Sequence, residues 1–278
     1  MVDLMLNEKD FYRAFDEVIS KKDKVIVVYS SIYNFIFNIK FKSKNIPKTL
    51  LDILEKLITK NRTLILPAFS ASSFLTENKF DIKKSIDNTG ILPKEALKRN
   101  YFRTIQPLHS YLVYGKEKKF VEKLKHLTSW GESSILGYMR ERNARICTFG
   151  LPWNKGCAYL HRFEESFLVP WRYFKLYKGS LYKNGKKIGR CFENKYSSPL
   201  NNILEYDFKP FIPYIKSSKS YKKSSNQTFN LESVKASCLD KIGNKIFSKN
   251  PWIIIKNKKD VKEWIKNKKA KEVILTND

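Results

Sequence analysis

Two of the chain's three histidines stand beside residues with which they could carry out acid–base chemistry. His161 comes three residues before Glu164, so on a helix both side chains would share a face and the carboxylate could orient the imidazole. An imidazole held in one tautomer in this way is a competent general base near neutral pH. His109 is followed by Ser110, which places a second imidazole next to a hydroxyl. His161, Glu164 and His109 are therefore candidate catalytic residues for a proton-transfer reaction.

Each candidate also has a simpler interpretation. Spacing alone favours a structural ion pair for His161 and Glu164, because such pairs are common on helix surfaces. Cys157 lies four residues before His161 and could form a Cys–His nucleophile pair with it. The third histidine, His126, stands among lysines, and we expect it on a solvated helix.

Strands and helices alternate in the segments that must position these residues. Apolar periodicity predicts helices and doubly buried strands in the order 7–20, 24–29, 49–57 and 63–67. Strand, helix and strand at this spacing predict a βαβ unit with parallel strands. Ligands of such sheets bind beyond the carboxyl ends of the strands, where Ser30 and Ser31 stand.

The remaining segments extend this pattern and then change character. Three more strands are expected at 110–115, 145–150 and 251–255, and helices at 90–98, 116–127, from Ser133 to Arg140, around His161 and in the lysine-rich tail. Beyond Pro170 the chain becomes rich in aromatic residues, and Asn184-Gly185 predicts a hairpin turn. Residues 216–229 read as an exposed loop.

The predicted fold class is therefore α/β. We expect a parallel-rich central sheet flanked by helices, with an antiparallel, aromatic-rich elaboration in the C-terminal half. The 278 residues, 42% of them hydrophobic, suffice for one large core. A single domain over 1–278 is expected, with its core at about 7–175 and the elaboration at about 176–278.

The formal net charge of +27 limits the choice of partners. A lysine-rich surface that only solvates the protein would explain it, and so would an anionic small molecule, an acidic protein or nucleic acid. Nucleic acid is disfavoured because the lysines spread over the whole length without a recognisable binding motif. Whatever the partner is, this charge disfavours a strongly cationic one.

Cysteine usage and hydropathy indicate the compartment. The four cysteines are scattered without a Cys-x-x-Cys pair, which favours free thiols over disulfides or a metal site. No apolar run approaches the ~20 residues that span a bilayer, and the N-terminus does not read as a signal peptide. We expect a cytoplasmic protein without a metal. The oligomeric state stays open.

Five motifs in one order give the chain a family resemblance. They read KVIVVYSSI, GILPKEAL, IQPLHSYLVYG, WGESSILGYM and ICTFGLPWNKGCAYLHRFEE, between about Lys24 and Lys175. The order resembles that of the aminoglycoside 3-N-acetyltransferases, also called antibiotic N-acetyltransferases. No single motif is specific, but five in the same order are hard to obtain by chance.

The resemblance implies an acyl-CoA-dependent N-acyltransferase with acetyl-CoA or another acyl-CoA as co-substrate. It also raises His161, Glu164 and His109 from candidates to expected catalytic residues, with His161 as the base. Expected contacts to the cofactor come from the following residues: Ser30, Ser31, Ser110, Gly131 and Ser133. Members of the family need no acyl-enzyme on a residue such as Cys157.

Two positions depart from the family pattern and bear on the acceptor amine. Tyr29 and Gln106 stand where the family has histidines, and we expect both to shape the acceptor pocket. Aminoglycosides are polycations, which a basic chain accommodates poorly, so we expect an anionic, nucleotide-linked amino sugar. An aminoglycoside remains the alternative. A non-catalytic basic binding module is a further alternative from another class.

Overall fold

The computed structural model describes residues 5–41, 44–58, 60–87, 89–198 and 203–267. The strands are β1 (Val25–Ser30), β2 (Thr63–Pro67), β3 (Lys79–Asp81), β4 (Phe102–Arg103), β5 (Tyr111–Gly115), β6 (Arg145–Phe149), β7 (Tyr173–Lys183), β8 (Lys186–Ser197), β9 (Lys222–Lys223) and β10 (Leu231–Lys235). The α-helices are α1 (Glu8–Val18), α2 (Ile46–Ile58), α3 (Ala71–Glu77), α4 (Ile91–Ala96), α5 (Lys118–Glu122), α6 (Ile135–Glu141), α7 (Arg162–Ser166), α8 (Ile212–Lys216), α9 (Ala236–Lys249) and α10 (Lys258–Lys266). Short 3₁₀ helices cover Tyr33–Asn38, Ala158–His161, Lys209–Phe211, Gln227–Phe229 and Pro251–Ile254.

The main sheet has the strand order β4-β5-β2-β1-β6-β10-β9. Its centre is parallel, because β1 pairs in parallel with both β2 and β6. The pairings outside this centre are antiparallel on both sides. The α/β prediction is confirmed, and the parallel part of the sheet consists of β1, β2 and β6.

Apolar residues cover both faces of this sheet, which explains the uninterrupted apolar runs of β1 and β2. Along β1, Val25, Val27 and Tyr29 join one buried cluster, with residues of α6, α7 and α9. Ile26 and Val28 join the other, with residues of α1, α2 and α4. Successive side chains of a strand point to opposite faces, so a strand covered on both faces carries consecutive apolar residues, as Val25 to Val28 do.

The antiparallel elaboration is a long hairpin of β7 and β8, with β3 beside β7. The turn is at Asn184 and Gly185, which both have positive φ, 54° and 86°. This is the conformation that an Asn-Gly turn favours. The Asp81 carboxylate accepts hydrogen bonds from both of their backbone N–H groups, at 3.1 and 2.6 Å. The predicted hairpin is confirmed, and β7 runs through the expected boundary near residue 175.

Several local expectations are wrong. Residues 251–254 form a 3₁₀ helix, since Asn250 caps a turn that begins with Pro251, and Ile255 makes only an isolated bridge to Tyr206. The helix expected over 116–127 is short, covering Lys118–Glu122. Within 216–229, β9 and a 3₁₀ helix interrupt the predicted loop. The end of the lysine-rich tail, 268–278, lies outside the described residues, and α10 precedes it.

No helix among the described residues combines the length and apolar character needed to cross a bilayer.

Candidate active site

A cavity of about 420 Å³ holds both candidate histidines. His161 ends the 3₁₀ helix that follows β6, and His109 precedes β5. The other lining residues are Phe69, Trp130, Trp153, Asn154, Gly156, Cys157, Ala158, Arg172, Lys195, Tyr206 and Phe208. We call this space the histidine cavity.

His161 and Glu164 make the contact that their spacing predicts. Their Nδ1 and Oε2 atoms are 2.6 Å apart. His161 is the last residue of the 3₁₀ helix and Glu164 lies in α7, so the contact spans the junction of the two helices. Because a carboxylate accepts the hydrogen bond, Nδ1 carries the proton and Nε2 is the basic nitrogen.

Glu164 is fully buried and accepts four hydrogen bonds. Besides His161, the donors are the indole N–H of Trp171 at 2.9 Å, Arg172 Nε at 2.9 Å and the Tyr206 hydroxyl at 2.8 Å. Burial alone would raise the pKa of Glu164, but Arg172 and His161 hold it well below its usual range. Glu164 therefore remains a carboxylate that can orient His161 and stabilise its protonated form.

His109 has a carboxylate partner of its own, Glu193 on β8. Its Nδ1 lies 2.8 Å from Glu193 Oε1. The same carboxylate accepts from the backbone N–H groups of Leu108 and His109, at 2.7 and 3.1 Å, and from the Ser129 hydroxyl. Burial lowers the pKa of His109 more than Glu193 raises it, so the ring is neutral near pH 7.

The sequence did not identify Glu193 as a site residue. It lies 84 positions from His109 on a strand rich in charged residues, where no local spacing relates the two. The only available signal was an acidic side chain in a largely basic hairpin.

Trp130 connects the two histidines across the cavity. Its ring stacks on His161 with centroids 5.3 Å apart and meets His109 edge-on at 5.5 Å. The Arg172 guanidinium lies 4.6 Å from the Trp130 ring and Lys195 Nζ lies 5.9 Å from it. Two basic nitrogens and two cations thus surround one buried indole.

The charged lining of the histidine cavity is entirely basic. Arg172 and Lys195 belong to the lining, whereas no Asp or Glu of the described residues does. Glu164 and Glu193 lie behind the histidines, where hydrogen bonds occupy them. Burial lowers the pKa of Lys195 to about 8, and the neighbouring Arg172 contributes. The cavity therefore favours anions near neutral pH.

A second cavity of about 740 Å³ adjoins the first and shares Phe69 and Gly156 with it. Ser30 and Ser31 line it at the carboxyl end of β1, together with Tyr29 and Lys155. Its lining includes no Asp or Glu of the described residues either. We call this space the serine cavity.

Glycines and one hydroxyl give the serine cavity features of a ligand site. Gly150 has a positive φ of 73°, and a Cβ there would lie 1.9 Å from the Ser31 carbonyl oxygen. Only glycine therefore fits at this point of the wall. The Thr89 hydroxyl is buried without a hydrogen-bond partner in the described part of the chain, and Thr89 lines the same cavity. Such an unsatisfied group suits a ligand that brings polar atoms.

Three of the expected cofactor contacts lie away from both cavities. The Ser110 hydroxyl is buried, donates to the Ala68 carbonyl at 2.6 Å and accepts from Arg103 at 2.9 Å. Gly131 packs against Glu165, where a Cβ would clash with the carboxylate. Ser133 is exposed, and Ser134, not Ser133, caps α6. Ser30 and Ser31 remain as cavity-lining residues.

Tyr29 and Gln106 do not meet in one acceptor pocket. Tyr29 lines the serine cavity, and its hydroxyl lies 3.2 Å from that of Tyr111. Gln106 is buried outside both cavities, and its amide donates to the Thr128 carbonyl at 3.0 Å. Gln106 therefore has no place in the lining of either cavity, and a role of Tyr29 at the acceptor stays a prediction.

Neither Cys157 nor His126 has the surroundings first considered for it. Burial raises the pKa of the Cys157 thiol to about 12, so it is protonated near pH 7 and a poor nucleophile. His126 lies in a loop and not on a solvated helix, and burial lowers its pKa to about 4. The described part of the chain contains no group of three His, Cys, Asp or Glu side chains arranged to hold a metal ion.

Comparison with protein families identifies the class of protein to which this site belongs. The model of the family described as aminoglycoside 3-N-acetyltransferase matches residues 38–237. The chain belongs to this family, and the predicted class of enzyme, an N-acyltransferase, is confirmed. No curated protein matches the sequence.

Solved structures share the fold at low sequence identity. AAC-IIIb, described as binary with CoASH, has a TM-score of 0.71 and 15% identity over 88% of this chain and 97% of its own. Sisomicin-bound AAC-VIa has a TM-score of 0.67 and 12% identity over 86% and 96%. The YokD protein from Bacillus subtilis has a TM-score of 0.67 and 14% identity over 87% and 99%. At these identities, the structural matches establish the fold alone.

Proposed function

We propose that this protein transfers an acyl group from an acyl-CoA thioester to the amine of an amino sugar, by direct attack. The observation that carries the proposal is that two histidines, each oriented by a buried carboxylate, line one cavity that adjoins a second. Amide formation needs a base for the amine and a way to hold the thioester beside it. The two cavities provide for both.

His161 is the proposed base. Its Nδ1–H donates to Glu164, so Nε2 can take the proton that the attacking amine loses. Glu164 stays ionised and stabilises the imidazolium that results. The proton then reaches the departing thiolate, which leaves the enzyme in its starting protonation state.

His109 is proposed to act on the leaving thiolate or on the oxyanion of the tetrahedral intermediate. Its lowered pKa keeps it neutral at the start, with the Nδ1 proton on the Glu193 side. It therefore has to receive a proton at Nε2 before it can donate one. A relay from His161 to His109 across the shared cavity satisfies this requirement without an external acid.

The serine cavity is the proposed site for the acyl-CoA, which supplies an activated acyl carbon and a thiol leaving group. One neighbour in structure is described as binary with CoASH. Ser30, Ser31 and Thr89 provide hydroxyls for the amides of the pantetheine arm, and Lys155 provides a positive charge for phosphate. Gly150 keeps the wall free of side chains where such an arm would pass.

The proposed acceptor is anionic, and a nucleotide-linked amino sugar is the form we expect. The absence of Asp and Glu from the described lining of both cavities supports this choice. The competing acceptor is an aminoglycoside, which the family model and a sisomicin-bound neighbour favour. A polycation would have to bind against Arg172 and Lys195 without a lining carboxylate.

We further propose one catalytic domain over 1–278. Supporting this, β10 from the C-terminal half pairs with β6, and the C-terminal residues Lys195, Tyr206 and Phe208 line the histidine cavity. A cytoplasmic location remains a prediction from the cysteines.

The deciding experiment measures free-thiol release from acetyl-CoA and longer acyl-CoAs with a panel of acceptors. The panel contains nucleotide-linked amino sugars, free amino sugars and kanamycin. We expect release that depends on an amine acceptor, and thermal stabilisation by acetyl-CoA but not by DNA at physiological salt. No release with any acceptor, together with no stabilisation by acetyl-CoA, would reject the proposal.

A further inference from the structure

Lys195 stands in the histidine cavity without an acidic partner. It lies on β8 two residues after Glu193, so both side chains point to the same face of the strand. Glu193 contacts His109, whereas Lys195 makes no ion pair with any described residue. Lys195 is partly buried, and its ammonium lies 5.9 Å from the centre of the Trp130 ring.

The two nearest carboxylates are already occupied. The charges of Glu164 and Glu193 act to raise the pKa of Lys195 through space, but neither carboxylate is hydrogen-bonded to it. Each of them accepts four hydrogen bonds from other donors. Arg172 differs from Lys195, because its nitrogens contact Glu164, the Tyr196 carbonyl and the Tyr206 hydroxyl. Of the two cations that line the histidine cavity, Lys195 is thus the one whose N–H donors remain available to a ligand.

A buried ammonium without an anion is unfavourable unless a ligand supplies one. We propose that Lys195 binds an anionic group, a phosphate or carboxylate, on the same sugar unit that carries the reacting amine. This inference rests on the proposed function and narrows its substrate class. The anion must be near the amine, because Lys195 and the two histidines surround the same Trp130 ring.

The size of the cavity agrees with this placement. About 420 Å³ is at the small end of ligand pockets and suits a single sugar unit with one anionic substituent. A nucleotide attached to that unit would extend beyond it. Lys195 therefore selects acceptors by the charge on the sugar itself and repels those that carry further amines there.

The test compares glucosamine with glucosamine 1-phosphate, glucosamine 6-phosphate and uridine diphosphate glucosamine. Calorimetry gives the Kd of each sugar and of acetyl-CoA, and thiol release gives kcat and KM. The variants are Lys195→Met, which keeps the length and removes the charge, and Lys195→Arg, which keeps a charge. Lys186→Met is the matched control, since Lys186 is exposed at the opposite end of β8.

For wild type we expect at least one phosphorylated sugar to bind more tightly than glucosamine. Lys195→Met should raise the Kd of that sugar by about 10- to 100-fold, the range for a lost hydrogen bond to a charged group. The Kd values of glucosamine and acetyl-CoA should stay within about twofold of wild type. Lys195→Arg should retain most of the preference for the phosphorylated sugar over glucosamine, and Lys186→Met should retain it fully.

Three results would overturn the inference. In the first, the wild type binds none of the charged sugars more tightly than glucosamine. In the second, Lys195→Met keeps the full preference for the charged sugar. In the third, Lys195→Met weakens the binding of acetyl-CoA as much as that of the sugar. The last would assign Lys195 to the phosphates of CoA. Because Kd is measured without turnover, the inference is tested even if no thiol is released. The absence of both thiol release and acetyl-CoA binding would reject the proposed function and leave the measured sugar preference as a separate result.

Discussion

Each cavity histidine depends on a buried carboxylate that fixes its tautomer. Glu164 reaches His161 from the next turn of helix, and Glu193 reaches His109 from a distant strand. Both contacts use Nδ1, so Nε2 is the nitrogen that would take a proton in the proposed reaction. The site therefore contains two bases of the same design, which differ in exposure: the His161 side chain is 27% exposed and that of His109 12%. The more accessible ring is better placed to meet an incoming amine.

Replacing His161 by alanine should lower kcat by about 10²–10⁴-fold and leave the Kd of acyl-CoA nearly unchanged, because a general base acts in the transition state. Glu164→Gln should have a smaller effect in the same direction, since it removes the charge that stabilises the imidazolium. Steady-state kinetics and calorimetry measure both quantities. Turnover of His161→Ala within about threefold of wild type would remove His161 from the mechanism.

His109 and Cys157 line the same cavity, but only His109 should matter for turnover. His109→Ala removes a base that Glu193 orients, whereas Cys157→Ala removes a protonated thiol whose pKa burial raises to about 12. Kinetics on the two variants and mass spectrometry of the denatured wild-type protein provide the measurement. Loss of activity in Cys157→Ala, with an acyl group retained on wild type, would replace direct transfer by a covalent intermediate.

The sequence could predict the local half of this site. His161 and Glu164 are three residues apart, and helical geometry brings them together. Glu193 and Lys195 could not be found, because the hairpin that delivers them folds over from a distant part of the chain. Ser110 was expected at the cofactor, yet the fold buries its hydroxyl away from both cavities. The Ser110 hydroxyl instead accepts a hydrogen bond from Arg103 and donates one to the Ala68 carbonyl.

At the scale of elements, the β7–β8 hairpin delivers Glu193 and Lys195 to the cavity. Asp81, at the end of β3, contacts the hairpin turn through the backbone N–H groups of Asn184 and Gly185. It also accepts from the Lys83 N–H at 2.9 Å. Burial raises the pKa of Asp81, but these backbone donors outweigh burial and lower it overall. Asp81 is therefore more stable as a carboxylate in the folded protein.

Asp81→Ala should destabilise the protein by about 1–3 kcal/mol, because it leaves partly buried N–H groups without acceptors. The wild-type contribution is complete above the unfolded pKa of about 3.9 and is lost as pH falls through the lower folded value. The difference in stability between wild type and variant should therefore shrink on acidification. Urea unfolding at neutral pH and near pH 3 measures it, with the exposed Asp260→Ala as control. A difference that grows on acidification would contradict this assignment.

The strands of the sheet centre were predictable, whereas the C-terminal apolar segment was not. The apolar residues of β1, β2 and β6 lie on both faces of the sheet, because helices cover both faces. Residues 251–255 have a similar run of isoleucines, but Pro251 lacks an N–H for a ladder, and Asn250 accepts from the Trp252 N–H at 3.1 Å. That cap begins a 3₁₀ turn, and burial of Ile254 and Ile255 satisfies the apolar pattern without a strand.

For the whole molecule, the charge of the surface and the charge of the site agree. The net charge of +27 on its own is compatible with simple solvation. The charged residues that line the two cavities are also positive, since no Asp or Glu of the described residues lines either one. The need to solvate the protein surface does not explain positive charge inside a cavity. If the acceptor is anionic, as proposed, the outer field would attract it and the cations of the cavity would retain it.

Raising the salt concentration should therefore raise KM for a nucleotide-linked amino sugar and change KM for a neutral amino sugar little. Screening shortens the reach of the surface field to about 8 Å at physiological ionic strength, so the attraction weakens before the buried contacts do. Kanamycin should remain a poor acceptor at low salt, where repulsion is strongest, and improve slightly as salt rises. The measurement is kcat/KM for the three acceptors between about 20 and 300 mM salt, which brackets that screening range. A kcat/KM for kanamycin that equals or exceeds the value for every nucleotide sugar would overturn the anionic acceptor. It would not contradict an acyltransferase, because the proposed roles of the two histidine–carboxylate pairs do not depend on the charge of the acceptor.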